Sequence, residues 1–159
     1  MKQRSRIIGS SMLLLCVLLI SGCGSWMFPG EELRVDPGVI RDIRNIGKVV
    51  AEAKVETPWD GTTTVTEVLI IDVGNSNAQR VIEKAVSLLQ GIGWKIVDRR
   101  LPVEMTSDKW ENTVLGLEGI DSYRFDELES PQVEKAIKDA RVQAMSEALV
   151  VLELHPVDG

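Results

Sequence analysis

Apolar residues change their spacing several times along the chain. From Ile7 to Ile20 nearly every position is apolar, interrupted by Gly9, Ser10 and Ser11. After Asp36-Pro37 the apolar positions Val39, Ile40, Ile43, Ile46, Val49 and Val50 recur at helical spacing, with Arg41, Asp42, Arg44 and Asn45 on the other side. This predicts a helix from Pro37 to Ala51, with Asp36 as N-cap and Pro37 at the first position. Its far end reads both ways, because Ala51, Ala53 and Val55 alternate with Glu52, Lys54 and Glu56 as a strand would. Pro58-Trp59-Asp60-Gly61 is a turn in either case.

Thr62 to Val73 is rich in Thr, Val and Ile and becomes wholly apolar at Val68 to Ile71, the mark of a central strand. Gly74-Asn75 breaks it. Ser76 with Gln79 three places later forms a capping box, opening a helix with Val81, Ile82, Ala85, Val86, Leu88 and Leu89 on its inner face. Gly91 and Gly93 stop that helix, and Trp94 to Val103 reads as a second strand. Two strands joined through a helix imply a right-handed parallel β-α-β unit. Met105 to Asn112 reads as a polar loop or hairpin turn, Thr113 to Glu118 as a third strand, and Asp121 to Glu129 as an acidic loop.

Ser130-Pro131 is an N-cap followed by a first-turn proline, and Val133, Ala136, Ile137, Ala140 and Ala144 mark one stripe of a helix reaching about Ser146. Ala148 to Leu154 supplies a final apolar strand, ended by His155-Pro156. After Gly61 the order is therefore β-α-β-β-α-β. The expected class is α+β, a ferredoxin-like two-layer sandwich with an extra N-terminal helix.

The first apolar run has its own logic. Lys2, Arg4 and Arg6 precede it without an acid, giving the charged n-region and apolar h-region of an export signal. A spanning helix needs roughly 20 apolar residues to cross about 30 Å of hydrocarbon, and Ser21-Gly22 ends this run earlier. Ile20, Ser21 and Gly22 then lead directly into Cys23. This passage resembles the lipobox of bacterial lipoproteins, and the resemblance covers Met1 to Cys23. It implies cleavage after Gly22 and attachment of diacylglyceryl to the Cys23 thiol. Arg4-Ser5-Arg6 is not a twin-arginine pair, which favours the general secretion route.

The expected organisation is a signal peptide over 1–22, a lipidated cysteine and tether over 23–36, and a single α+β domain over 37–159. Trp26, Met27 and Phe28 lie in the tether, close enough to the lipid to dip into the membrane interface or to pack on the domain. The Gly93-Trp94 strand opening and the His155-Pro156 strand end look like those of small actinobacterial lipoproteins of unknown function.

Removing residues 1–22 takes away three basic side chains and no acid, leaving 15 basic against 24 acidic, a net charge of −9. So acidic a surface lacks the basic face that nucleic acid requires and is repelled by anionic headgroups. The lipid is then the expected membrane contact. Cys16 leaves with the signal and Cys23 carries the lipid, so no thiol remains for a disulfide, a thiolate metal site or a nucleophile.

Candidate chemistry in the domain is sparse. His155 is the only histidine and has no imidazole or thiolate companion for zinc. No Gly-x-Ser-x-Gly elbow accompanies it, so it reads as a surface or partly packed side chain. Glu118, Asp121, Asp126, Glu127 and Glu129 include the carboxylates that glycosidase chemistry or a hard cation uses, although their spacing matches no EF-hand loop. Gly91-Ile92-Gly93 closes a helix and does not open one, unlike a phosphate loop. Trp59, Trp94 and Trp110 read as core anchors before a sugar or peptide groove, Trp94 most clearly.

These readings lead to an expectation of a non-enzymatic lipoprotein without cofactor or metal. It would be lipid-anchored on the extracytoplasmic face of the cell membrane and would act by binding or assembly with an envelope protein. The alternatives are a small-molecule or ion-binding sensor lipoprotein and, behind it, a carboxylate-only hydrolase.

Overall fold

The computed structural model describes residues 31–74, 78–123, 130–143 and 148–157. The expected signal peptide, its cleavage after Gly22, the lipid site Cys23 and the Trp26-Met27-Phe28 segment lie outside the described residues, as do Ser76, Ala144 and residues 124–129 of the acidic loop. The compact unit starts at Glu31, so it takes in residues 31–36 of the stretch expected as tether. No helix among the described residues is long and apolar enough to cross a membrane.

The chain runs β1 (Glu31–Arg34), α1 (Pro37–Ile43), a 3-10 turn (Arg44–Ile46), β2 (Lys48–Trp59), β3 (Thr62–Asp72), α2 (Ala78–Gly91), β4 (Trp94–Asp98), β5 (Val103–Ser107), β6 (Thr113–Gly119), α3 (Pro131–Gln143) and β7 (Leu149–Pro156). All seven strands join one sheet. Its path is β1-β3-β7-β6-β5-β4, and β2 lies on the other edge of β3. Only β1 pairs parallel, along the Thr62 to Val65 half of β3, while β7 takes the Glu67 to Asp72 half antiparallel.

The expected helix from Pro37 to Ala51 is half correct. Asp36 caps it, its carboxylate accepting from the Gly38 amide at 2.6 Å, and Val39 and Ile43 are fully buried. It ends because the backbone at Gly47 runs against β3. A Cβ there would lie 2.5 Å from the Asp72 carbonyl oxygen, a distance no side chain tolerates. From Lys48 the alternating pattern takes over as a twelve-residue strand. The β2–β3 hairpin closes at Asp60-Gly61, whose φ values of 44° and 82° are both positive, as a two-residue type I′ turn requires.

The ferredoxin-like two-layer expectation is wrong, and strand alternation shows why. Leu69, Ile71, Leu115, Leu117, Val150, Leu152 and Leu154 point to one face, where they pack with Val39 and Ile43 of α1 and Val81, Ala85 and Leu89 of α2. Val68, Ile70, Leu149 and Val151 point to the opposite face and pack with Val133, Ala136, Ile137 and Ala140 of α3. Helices therefore cover both faces of a mixed seven-stranded sheet. The wholly apolar Val68 to Ile71 run sits where this demands it, in a strand buried from both sides.

Two further corrections concern strands. The passage expected as a single strand from Trp94 to Val103 is the β4 arm of a hairpin, a connection, and the start of β5. The Met105 to Asn112 passage expected as a loop contains the rest of β5, in which Val103, Met105 and Ser107 are buried and alternate with Glu104 and Thr106. Also, β3 and β4 are not neighbours. β7, β6 and β5 stand between them, so β3-α2-β4 is a crossover whose gap is filled by the three strands that follow β4 in the chain.

Candidate functional site

α3 covers only part of its face of the sheet. It packs over β2, β3 and the Leu149 to Val151 part of β7, and among the described residues no helix covers the same face of β6, β5 and the rest of β7 beside it. Along β7, Leu149 and Val151 lie under the covered part, and alternation brings Glu153 and His155 up on the same face beyond it. Gly116 of β6 stands opposite Glu153 on one side and opposite Glu104 of β5 on the other. With no side chain there, the sheet has a dip. A groove of about 340 Å³ forms over it, bounded by Pro102, Glu118, Ser122, Tyr123, Val151 and Glu153.

A hydrogen-bonded chain of four side chains runs from this groove. The Tyr123 hydroxyl donates to Glu153 Oε1. Glu153 Oε2 lies 3.3 Å from His155 Nε2, and His155 Nδ1 lies 3.1 Å from the Thr66 hydroxyl. An ionised carboxylate only accepts, so the Nε2 proton must sit on the histidine, and in the neutral ring Nδ1 then accepts from Thr66. The three elements β3, β7 and the turn after β6 are tied together by polar groups on a face otherwise held by apolar packing.

The electrostatics follow from that chain. The hydrogen bond from His155 holds the Glu153 carboxyl below the ordinary glutamate range, against the opposing effect of burial and with help from Tyr123. Burial pushes the Tyr123 phenol far above the ordinary tyrosine range, and the neighbouring Glu153 carboxylate pushes it further. The site therefore presents a half-buried anion beside a phenol that stays neutral. Such an arrangement suits a ligand or partner bearing a cationic or hydrogen-bond-donating group.

The other expected candidates fall elsewhere. Glu118 lines the groove, whereas Asp121 is exposed and lies 3.8 Å from Arg141. Asp126, Glu127 and Glu129 lie outside the described residues. Among the described residues no group of three or more His, Cys, Asp or Glu side chains is placed to hold a metal ion. Trp94 is 2 % exposed and is a core anchor as expected. Trp110 packs against Gly38 and carries the Lys109 ammonium 4.5 Å from its ring centre, while Trp59 is 81 % exposed at the tip of the β2–β3 hairpin. The three indoles do not share an environment.

Sequence reasoning passed over Tyr123, Glu153 and Thr66. A signal was present in β7, where Glu153 and His155 two apart interrupt the end of a strand otherwise wholly apolar. Comparison with protein-family models, with curated proteins and with solved structures gives no match for this chain.

Proposed function

We propose that this chain is a bacterial lipoprotein, anchored through Cys23 to the extracytoplasmic face of the cell membrane, whose domain acts non-enzymatically by binding or assembling with an envelope partner. The observation that carries this reading is the Ile20-Ser21-Gly22-Cys23 passage directly behind a basic n-region and an apolar h-region. Two acyl chains on Cys23 suffice for stable anchoring, since each buried CH₂ contributes about 0.8 kcal/mol. The sheet face over Gly116, which no helix among the described residues covers and which has Glu153 and Tyr123 at its wall, is the surface offered to the partner. Cell fractionation tests the reading. Wild-type protein is expected with the membranes and Cys23→Ala protein away from them, or retained only as uncleaved precursor. A cleaved Cys23→Ala chain that fractionates with membranes as the wild type does contradicts it.

A second reading, a lipoprotein that binds a small cationic ligand, is favoured by one feature: the groove places the Glu153 carboxylate in a concave site of small-ligand size. Melting in calcium chloride and in putrescine tests it. A rise in Tm that Glu153→Gln abolishes supports it, and unchanged melting contradicts it.

A further inference from the structure

Thr62, the first residue of β3, pairs on one side with Trp59 of β2 and on the other with Glu31, the first residue of β1. β7 pairs with β3 only from Glu67 to Asp72. The Thr62 to Val65 part of β3, flanked by β1 and β2, is therefore a three-stranded finger that ends in the Asp60-Gly61 turn. Trp59 sits at its tip and is the one large aromatic side chain left exposed among the described residues. A Cβ on Gly61 would meet nothing within 4 Å, so the turn stands clear of the rest of the domain. Pro58 carries no N–H, which blunts this stretch of the β2 edge against strand addition.

We propose that this finger is the domain's own contact with the bilayer and that the Trp59 indole enters its interface. The inference rests on the lipoprotein reading, and the point where the chain enters the domain carries it. Residues 24–30 separate the acylated Cys23 from Glu31. A chain spans at most about 3.6 Å per residue, so the anchor holds Glu31 within about 29 Å of the headgroups. Trp59 lies two strand spacings from Glu31, about 10 Å. The Asp72 end of β3 is ten residues further on, about 33 Å. The end of the sheet that the tether enters is thus the end that carries the exposed indole.

An indole suits that place, because its ring is apolar, its N–H donates to headgroup oxygens, and tryptophan is enriched where hydrocarbon meets water. The nearby charges set the depth. Asp60, Glu31 and Glu32 belong to the same finger, and Arg34 is held by Glu32 at 2.6 Å, so the backbone stops at the headgroups and only the indole inserts. Such acids would not gather a free protein onto an anionic membrane. Here the acyl chains supply the attachment, and the indole only orients a domain already held at high effective concentration. With β3 upright, Val68 opposite Glu153 stands six residues above Thr62, about 20 Å. The groove over Gly116 is then clear of the headgroups and open to an envelope partner.

The test uses the membrane-extracted chain reconstituted in phosphatidylcholine vesicles, with acylation read by intact mass on the same sample. Lipid with brominated acyl chains is expected to quench the wild-type tryptophan emission, and Trp59→Phe is expected to lose part of that quenching. With Cys23 acylated, an introduced cysteine is the only free thiol. A nitroxide on Asp60→Cys is expected to meet oxygen dissolved in the lipid in preference to an aqueous nickel chelate. One on Val142→Cys is expected to show the reverse, since Val142 is exposed on α3 at the Asp72 end of the sheet. Adding Trp59→Ser is expected to return the Asp60→Cys label to water. Equal quenching of acylated wild type and Trp59→Phe, or an Asp60→Cys label as aqueous as the Val142→Cys label, overturns the inference and leaves the lipoprotein reading standing. Dipolar broadening of the Asp60→Cys label, the mark of a second copy against the tip, overturns it as well. An unacylated chain overturns both.

Discussion

The Tyr123 hydroxyl donates to the Glu153 carboxylate, joining the turn after β6 to the face of β7. Tyr123 is the only tyrosine of the chain, so phenolate absorbance reads it alone. The fold favours the neutral phenol. Its contribution to stability is therefore complete below the ordinary tyrosine pKa of about 10 and diminishes as pH rises past that value. The folded protein is expected to show no phenolate signal until alkaline unfolding. Glu153→Gln should bring the ionisation down, and a wild-type phenol titrating as a free tyrosine would contradict the geometry.

Glu153 itself predicts the acid side. Its folded pKa lies below its ordinary value, so the carboxylate stabilises the fold above the ordinary glutamate range and that contribution is lost as pH falls through the folded pKa. Wild-type Tm should drop on acidification more steeply than that of Glu153→Gln. At neutral pH, Tyr123→Phe should cost about 1.5–3 kcal/mol, as removal of a hydrogen bond to a charged group does. Thermal melting across the acid range checks the first, and urea unfolding at neutral pH checks the second.

Much of the fold was legible where one periodicity ruled a whole segment. The α2 and α3 stripes, the Asp36 cap and the central Val68 to Ile71 run are of this kind, because each residue's local preference agrees with its tertiary place. Prediction failed where two periods overlapped or where the deciding contact was distant. Val49 and Val50 fit a helix as well as a strand, and only the close approach of Gly47 to Asp72, invisible in the sequence, decides between them. The layer count failed because element order does not say which face a helix covers, whereas the opposite packing of Leu69 and Val68 does. The candidate site was hidden for a similar reason. Thr66, Tyr123, Glu153 and His155 are brought together by strand register across up to 89 residues of sequence.

Gly47 is the position where one methyl group should matter most. Gly47→Ala forces the Asp72 carbonyl and the Ile71 side chain away from β2. Overpacking of this kind costs about 1–3 kcal/mol. Chemical denaturation should show that loss, and a variant as stable as the wild type would place the entry to β2 elsewhere.

Ile137 tests the second core. It lies buried in α3 against Val68, Ile70 and Val151, and Ile137→Asp places a charge there without a partner. The expected loss is above about 4 kcal/mol, enough to unfold a domain of ordinary stability. A soluble variant with unchanged circular dichroism and melting would contradict the packing of α3 on the sheet.

The central claim concerns Cys23, and intact mass of the membrane-extracted protein beside its Cys23→Ala variant tests it most directly. The account predicts a wild-type chain that begins at Cys23 and carries acyl groups, and a Cys23→Ala chain that carries none. An unmodified full-length wild-type mass would contradict it.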